Sequence, residues 1–371
     1  MRRSRWSKPL VLALGLSLVA SACGDDDDED AGTSDTTEAP TETTAEDGGG
    51  GGAGADFSAC QVTDTGGVDD RSFNQTVNEG MLRADDELGT TSSVLESSSE
   101  ADFEPNIQAH LDAGCDLIIT VGFLLGDATE VAVQENPDSN FAIVDFAYET
   151  EYPNLQTLTF ATDEAAFLAG YVAAATTETG TIGTYGGINL PTVTIFMNGL
   201  AAGIAQYNTD SGEDVQLVGW DPAAEDGLFT GDFTDQTKGR QTTDQLLDQG
   251  ADIIMPVAGP VGLGSVEAIR AGGGNERLIW VDTDGCISVP DACDLFLTSV
   301  QKKMDNAVFD TIESAVNGEF EGGSYSGTLE NDGVGIAEFH DYDDAVPQEV
   351  KDRLEELRQQ IIDGEIDPSG G

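Results

Sequence analysis

The chain has 371 residues, with 70 Asp and Glu against 15 Lys and Arg and two histidines, a formal net charge of −55. A field of that sign repels phosphates, so nucleic acid is excluded as a partner and nucleotides are disfavoured, while neutral or cationic small molecules are not. A folded part of about 310 residues exceeds one comfortable core, which predicts two lobes.

Arg2, Arg3, Arg5 and Lys8 precede an apolar run from Leu10 to Ala20, and Ser21-Ala22-Cys23 follows it. A basic start, a short apolar stretch and small residues before a cut site predict an export signal over 1–22. The run is too short to cross a bilayer. A Cys at the first mature position turns the signal into that of a bacterial lipoprotein, with Cys23 as the acylated residue. The protein is then expected on the extracytoplasmic face of the cell membrane, held by lipid. Residues 23–56 carry the run Asp25-Asp26-Asp27-Asp28-Glu29-Asp30, a Thr/Glu-rich stretch and five glycines from Gly48 to Gly52. No side chain there offers enough apolar surface to offset the entropy of ordering, so this stretch is expected to be a disordered tether.

From 57 to 371 short apolar runs alternate with helical periodicity. Strands are predicted at Ala59–Val62, Leu117–Val121, Phe141–Val144, Thr181–Thr184, Val215–Val218, Ile253–Met255 and Leu278–Val281. Their unbroken apolar character suits strands covered on both faces of a parallel sheet. Phe73, Val77, Met81, Ala84 and Leu88 mark one helix, and Val350, Leu354, Leu357 and Ile361 mark the last, between Pro347 and Gly364. Repeated β–α units predict a parallel α/β architecture. The first lobe is expected over about 57–160 with part of 286–330, and the second over about 161–285 with the C-terminal segment. A ligand cleft is expected where the C-terminal ends of the strands face each other.

Four cysteines remain beyond Cys23. Outside the cytoplasm they are expected to oxidise in two pairs. Cys286 and Cys293 flank a short Ser-Val-Pro-Asp segment, and Cys60 and Cys115 are each assigned to a strand of the first lobe. First and third strands are neighbours in a doubly wound sheet, which brings the latter two together. The sequence contains no CxxC and no clustered histidines, so neither a metal nor a cofactor is expected. It also lacks GxSxG, P-loop, HExxH and strand-linked GxGxxG patterns, so an enzyme is not expected.

The predicted first strand runs into Val62-Thr63-Asp64-Thr65-Gly66-Gly67-Val68-Asp69-Asp70-Arg71-Ser72-Phe73-Asn74, a glycine-bearing turn with Ser72 or Asp70 as helix cap. This stretch resembles the signature of the basic membrane protein (Bmp, PnrA-like) family, purine-nucleoside-binding lipoproteins that feed ABC importers. The resemblance continues in order through Pro137–Asp145, Ala166–Tyr171, Lys238–Arg240, Val257–Gly264, Val281–Asp284, Leu297–Lys302 and Gly333–Gly335. It implies a two-lobed, type I periplasmic-binding-protein-like fold, ABC permease subunits as partners, and a purine nucleoside (guanosine, inosine or adenosine) between two aromatic rings.

By match of motif, Phe73 is implied as one ring and Phe233 as the other, with Phe196 as the competing position. Asp64 and Asn74 are implied as polar contacts, Asp145 as a strand-end carboxylate, and one of Asp282 and Asp284 as the ribose partner. Lys302, read as standing at a helix start, is implied as the ligand's cation in preference to Lys303. Gly259 and Gly262 are implied to let backbone approach the ligand. The Cys286–Cys293 insert and Thr194-Ile195 depart from the family pattern. Two other readings stand beside this one: a sensing subunit for another heteroaromatic solute such as a flavin-like ring, and a nucleoside hydrolase.

Overall fold

A computed structural model describes residues 54–370. The export signal, Cys23 and nearly all of the expected tether lie outside the described residues. One residue near the tether's end is packed where disorder was expected: Gly54 is buried, and its N–H donates to the Leu88 carbonyl at 3.0 Å, while Ala55 and Asp56 are exposed.

In chain order the first part comprises β1 (Ser58–Val62), α1 (Phe73–Leu88), β2 (Thr91–Leu95), α2 (Phe103–Ala113), β3 (Leu117–Val121), α3 (Gly126–Glu135), β4 (Asn140–Val144) and β5 (Leu155–Phe160). The second comprises α4 (Thr162–Thr176), β6 (Thr181–Gly186), α5 (Pro191–Ser211), β7 (Gln216–Val218), the small hairpin β8 (Trp220–Asp221) and β9 (Asp226–Gly227), and α6 (Gln236–Asp248). It continues with β10 (Ile253–Val257), α7 (Leu263–Gly272), β11 (Arg277–Asp282), α8 (Gly285–Ser288) and β12 (Phe296–Lys302). The chain then returns with α9 (Met304–Val316) and β13 (Gly323–Gly327), and crosses once more to β14 (Val334–Ile336) and α10 (Gln348–Ile362).

Two six-stranded sheets result, ordered β13-β5-β4-β3-β1-β2 and β14-β12-β11-β10-β6-β7. Every pairing in them is parallel except β12 with β14. All five residues of β3 and of β10 are buried, as expected for strands covered by helices on both faces. Of the segment 286–330, α9 and β13 join the first sheet's lobe, with α9 against α1, whereas β12 stays in the second sheet. The three crossings run side by side and are bonded to one another. The Ala161 N–H donates to Gly327 O at 2.8 Å, and the Lys303 N–H donates to Gly333 O at 2.9 Å.

Both expected disulfides are present: Cys60–Cys115, with Cα atoms 6.1 Å apart, and Cys286–Cys293, with Cα atoms 4.4 Å apart. Cys115 is not in a strand, however. It lies in the turn before β3, because Gly114 ends α2 in a left-handed conformation and delays the strand to Leu117. No helix among the described residues is long and apolar enough to cross a membrane.

Candidate functional site

The C-terminal strand ends of the two sheets meet at a narrow cleft lined from both lobes. The first lobe contributes Asp64, Asp70, Phe73 and Asn74 from the β1–α1 loop and first helical turn, Phe123 and Leu124 after β3, and Asp145 after β4. The second contributes Leu190, Val193, Phe233, Gly259, Pro260, Asp282 and Lys302.

Lys302 is the last residue of β12 and is 3% exposed. Its ammonium donates to Asp145 Oδ2 and lies 3.6 Å from Asp282 Oδ1. Burial alone would discharge it, but the two carboxylates outweigh that and hold its pKa above the ordinary lysine value. Its Nζ is 4.9 Å from the Phe73 ring centroid and 5.2 Å from that of Phe196, so it also sits against two aromatic faces. Asp145 and Asp282 both have left-handed backbones, with φ of 64° and 71°. Such a conformation is uncommon outside glycine, and its recurrence at two facing strand ends marks a site where geometry is held at a cost in strain.

A second polar group surrounds Asn74. Its Nδ2 donates to Asp64 Oδ1 at 2.8 Å and to Asp70 Oδ2 at 3.0 Å, and its buried Oδ1 has no partner. Asp70 caps α1, accepting from the N–H groups of Ser72, Asn74 and Gln75 at 2.9, 2.8 and 3.1 Å. Burial nevertheless pushes its carboxyl up to about 6 against those bonds. Burial raises Asp64 as well, and the charges of Asp145 and Asp282 add to the effect. Cleft carboxyls short of positive charge suit a ligand that brings its own N–H or O–H groups.

Apart from Thr192, the rest of the lining is apolar or glycine. Phe233 rests directly over Gly187, where a Cβ would come within 2.3 Å of its ring, so a larger residue there would push the ring aside. Gly259 has φ of +52° and open space where a Cβ would be, so backbone geometry, and no crowding by neighbouring atoms, is what favours glycine.

Of the residues read from sequence, Asp64, Phe73, Asn74, Asp145, Phe233, Gly259, Asp282 and Lys302 all line this one cleft. Asp284 does not. Its carboxylate caps α8 through the Cys286 N–H at 2.9 Å and pairs with His340 Nε2 at 2.8 Å. Phe196 is not among the lining residues either; it is 2% exposed, in the core beneath Lys302. Lys302 ends a strand and does not begin a helix, since α9 starts two residues later. Phe123 escaped the sequence reading. Its signal was a glycine and an aromatic directly after a fully buried, mostly apolar strand, the same grammar as the β1–α1 turn.

A family model described as "ABC transporter substrate-binding protein PnrA-like" matches residues 57–368. The chain belongs to the Bmp family. This Bmp-family chain is 34% identical over 328 residues to the CD4+ T-cell-stimulating antigen of Listeria monocytogenes, covering 84% of the chain and 87% of that relative. It is 32% identical to the ABC transporter nucleoside-binding protein BmpA of Lactococcus lactis, covering 84% and 88%. Among solved structures it resembles an ABC transporter solute-binding protein of Aeropyrum pernix K1, with 28% identity, a TM-score of 0.76, and coverage of 84% and 92%. As a Bmp-family member it is an extracytoplasmic, membrane-associated substrate-binding protein and not an enzyme, with a small-molecule ligand and transporter permease subunits as its partners.

Proposed function

We propose that this chain captures purine nucleosides for import, stacking the base between Phe73 and Phe233 and holding the ribose hydroxyls with Asp282 and Lys302. The observation that carries the reading is the placement, in one cleft, of two partly exposed aromatic side chains, Phe73 and Phe233, beside the Lys302–Asp145–Asp282 group and the Asn74 amide. Stacking supplies affinity that any flat neutral base can use, and the carboxylates accept from sugar hydroxyls. The name of the Lactococcus lactis relative supports the same class of ligand.

Four cleft carboxylates, Asp64, Asp70, Asp145 and Asp282, stand against the one ammonium of Lys302. That balance favours a nucleoside over its phosphate ester. Calorimetry of the purified protein is expected to show guanosine or inosine binding at least tenfold more tightly than the matching monophosphate, on the order of 1.4 kcal/mol or more. Equal affinities would defeat this reading. Phe233→Ala is expected to weaken the nucleoside by about 1–3 kcal/mol.

The anchor belongs to the same proposal. Cys23 is expected to carry the lipid, and palmitate labelling and membrane fractionation should both be lost in Cys23→Ser. A labelled variant would remove the anchor from the proposal while leaving the ligand untouched.

A further inference from the structure

We infer that Ser72, Arg71 and Trp280 form a latch that sets how long the two lobes stay closed over the ligand, although none of the three lines the cleft. The inference needs only a ligand in the cleft and a lobe that opens; its quantitative arm uses the nucleoside proposed above.

Ser72 is the N-cap residue of α1, where a serine hydroxyl ordinarily accepts from its own helix. Here it makes no such bond, and Asp70 does the capping. The freed hydroxyl, fully buried, reaches 210 residues along the chain to donate to Asp282 Oδ2 at 2.6 Å, from the first lobe to the second. Next to it Arg71 has φ of +60°, a conformation disfavoured for a long side chain. That turn presents the Arg71 carbonyl to Trp280 Nε1, which donates to it at 3.2 Å across the same boundary. Trp280 is 0% exposed and immobilised in the second lobe's core against Phe296, with ring centroids 5.4 Å apart. A helix cap diverted from its own helix and a strained backbone turn are two local rules broken side by side. Both departures serve contacts between lobes, the pattern expected where function overrides local preference.

The latch is wired to the site through Asp282. One oxygen of that carboxylate takes the Ser72 hydroxyl, and the other faces Lys302 at 3.6 Å. Opening the lobes therefore breaks a charge-assisted bond and releases Asp282 from its orientation toward Lys302 at the same moment. Ser72 and Trp280 are positioning residues: they leave the surface that a ligand first meets unchanged and act on its escape.

Two variants test this separately. Ser72→Ala removes the hydroxyl, and Trp280→Phe removes the indole N–H while retaining a ring. With guanosine in stopped-flow, each is expected to raise the dissociation rate about tenfold, the loss of one hydrogen bond to a charged or strained acceptor, while the association rate stays within about twofold. In the ligand-free protein, small-angle scattering should show a larger radius of gyration for both variants, and amide exchange over 70–76 should quicken. Wild-type values of dissociation rate, radius and exchange in both variants would overturn the latch. Guanosine failing to bind the wild-type protein would instead sink the ligand reading, and scattering and exchange would then decide the latch alone.

Discussion

The cleft holds two pairs of carboxylates that differ in what stands between them. Asp145 and Asp282 share the ammonium of Lys302, whereas Asp64 and Asp70 share the amide of Asn74. A full positive charge stands between the members of the first pair and opposes the rise that burial imposes on Asp145. A neutral amide and a few backbone N–H groups cannot do the same, so Asp70 rises to about 6 and titrates close to physiological conditions. One half of the site is a fixed electrostatic anchor, and the other responds to protons and to whatever donors the ligand brings.

Removing the anchor should have the largest effect. Lys302→Met keeps much of the stem packing but leaves Asp145 and Asp282 buried without compensation. We expect a stability loss on the order of 3 kcal/mol at pH 7, smaller at pH 5, and at least about tenfold weaker nucleoside binding. Lys303→Met, at a side chain bonded to Gln301, should change neither. Urea titration and calorimetry on the two variants measure the contrast, and equal losses would dissolve the distinction between the halves.

The rings flanking Lys302 sharpen the picture next. Phe73→Ala, on the cleft side, should cost about 1–3 kcal/mol of nucleoside affinity. Phe196→Ala, on the core side, should instead cost about 3–5 kcal/mol of folding stability. The reverse assignment in calorimetry and thermal melts would make Phe196 the second stacking ring.

The titratable half is tested by pH. A carboxyl raised in the folded state binds its proton more tightly there than in the unfolded chain. Its contribution to stability is therefore greatest below the ordinary carboxyl range and is lost as pH rises through about 6. Relative to Asp70→Asn, the wild-type protein should lose on the order of 2 kcal/mol of stability between pH 4 and pH 7. Parallel pH profiles would show that Asp70 is ionised throughout. The smallest effect belongs to Asp284→Asn: nucleoside affinity within about twofold, since this carboxylate serves α8 and His340 outside the cleft.

The strands that were legible in the sequence are those with continuous apolar runs, such as Leu117–Val121, because burial on both faces leaves no other composition. Of the four edge strands only Gln216–Val218 was. Thr91–Leu95 is half-exposed and Gly323–Gly327 reads Gly-Ser-Tyr-Ser-Gly, so neither carries an apolar signature. In the cleft, side chains tied to a glycine-bearing turn after a strand could be read, Asp64 and Asn74 among them. Asp284 could not be separated from Asp282, because two residues along a chain leaving a strand end point to different partners only once α8 has formed. The pairing of Lys302 with Asp145, 157 residues away, depends on how the lobes meet and has no local trace.

The three bonded crossings have a mechanical consequence. Connectors bonded to one another bend together more easily than they shear, which favours a hinge motion between the lobes over a sliding one. Lys302 is the residue immediately before one of these connectors, which puts it almost on the axis. A residue beside the crossings is displaced less by any such swing than one at the cleft's rim, and the Lys302 ammonium there spans Asp145 of the first lobe and Asp282 of the second.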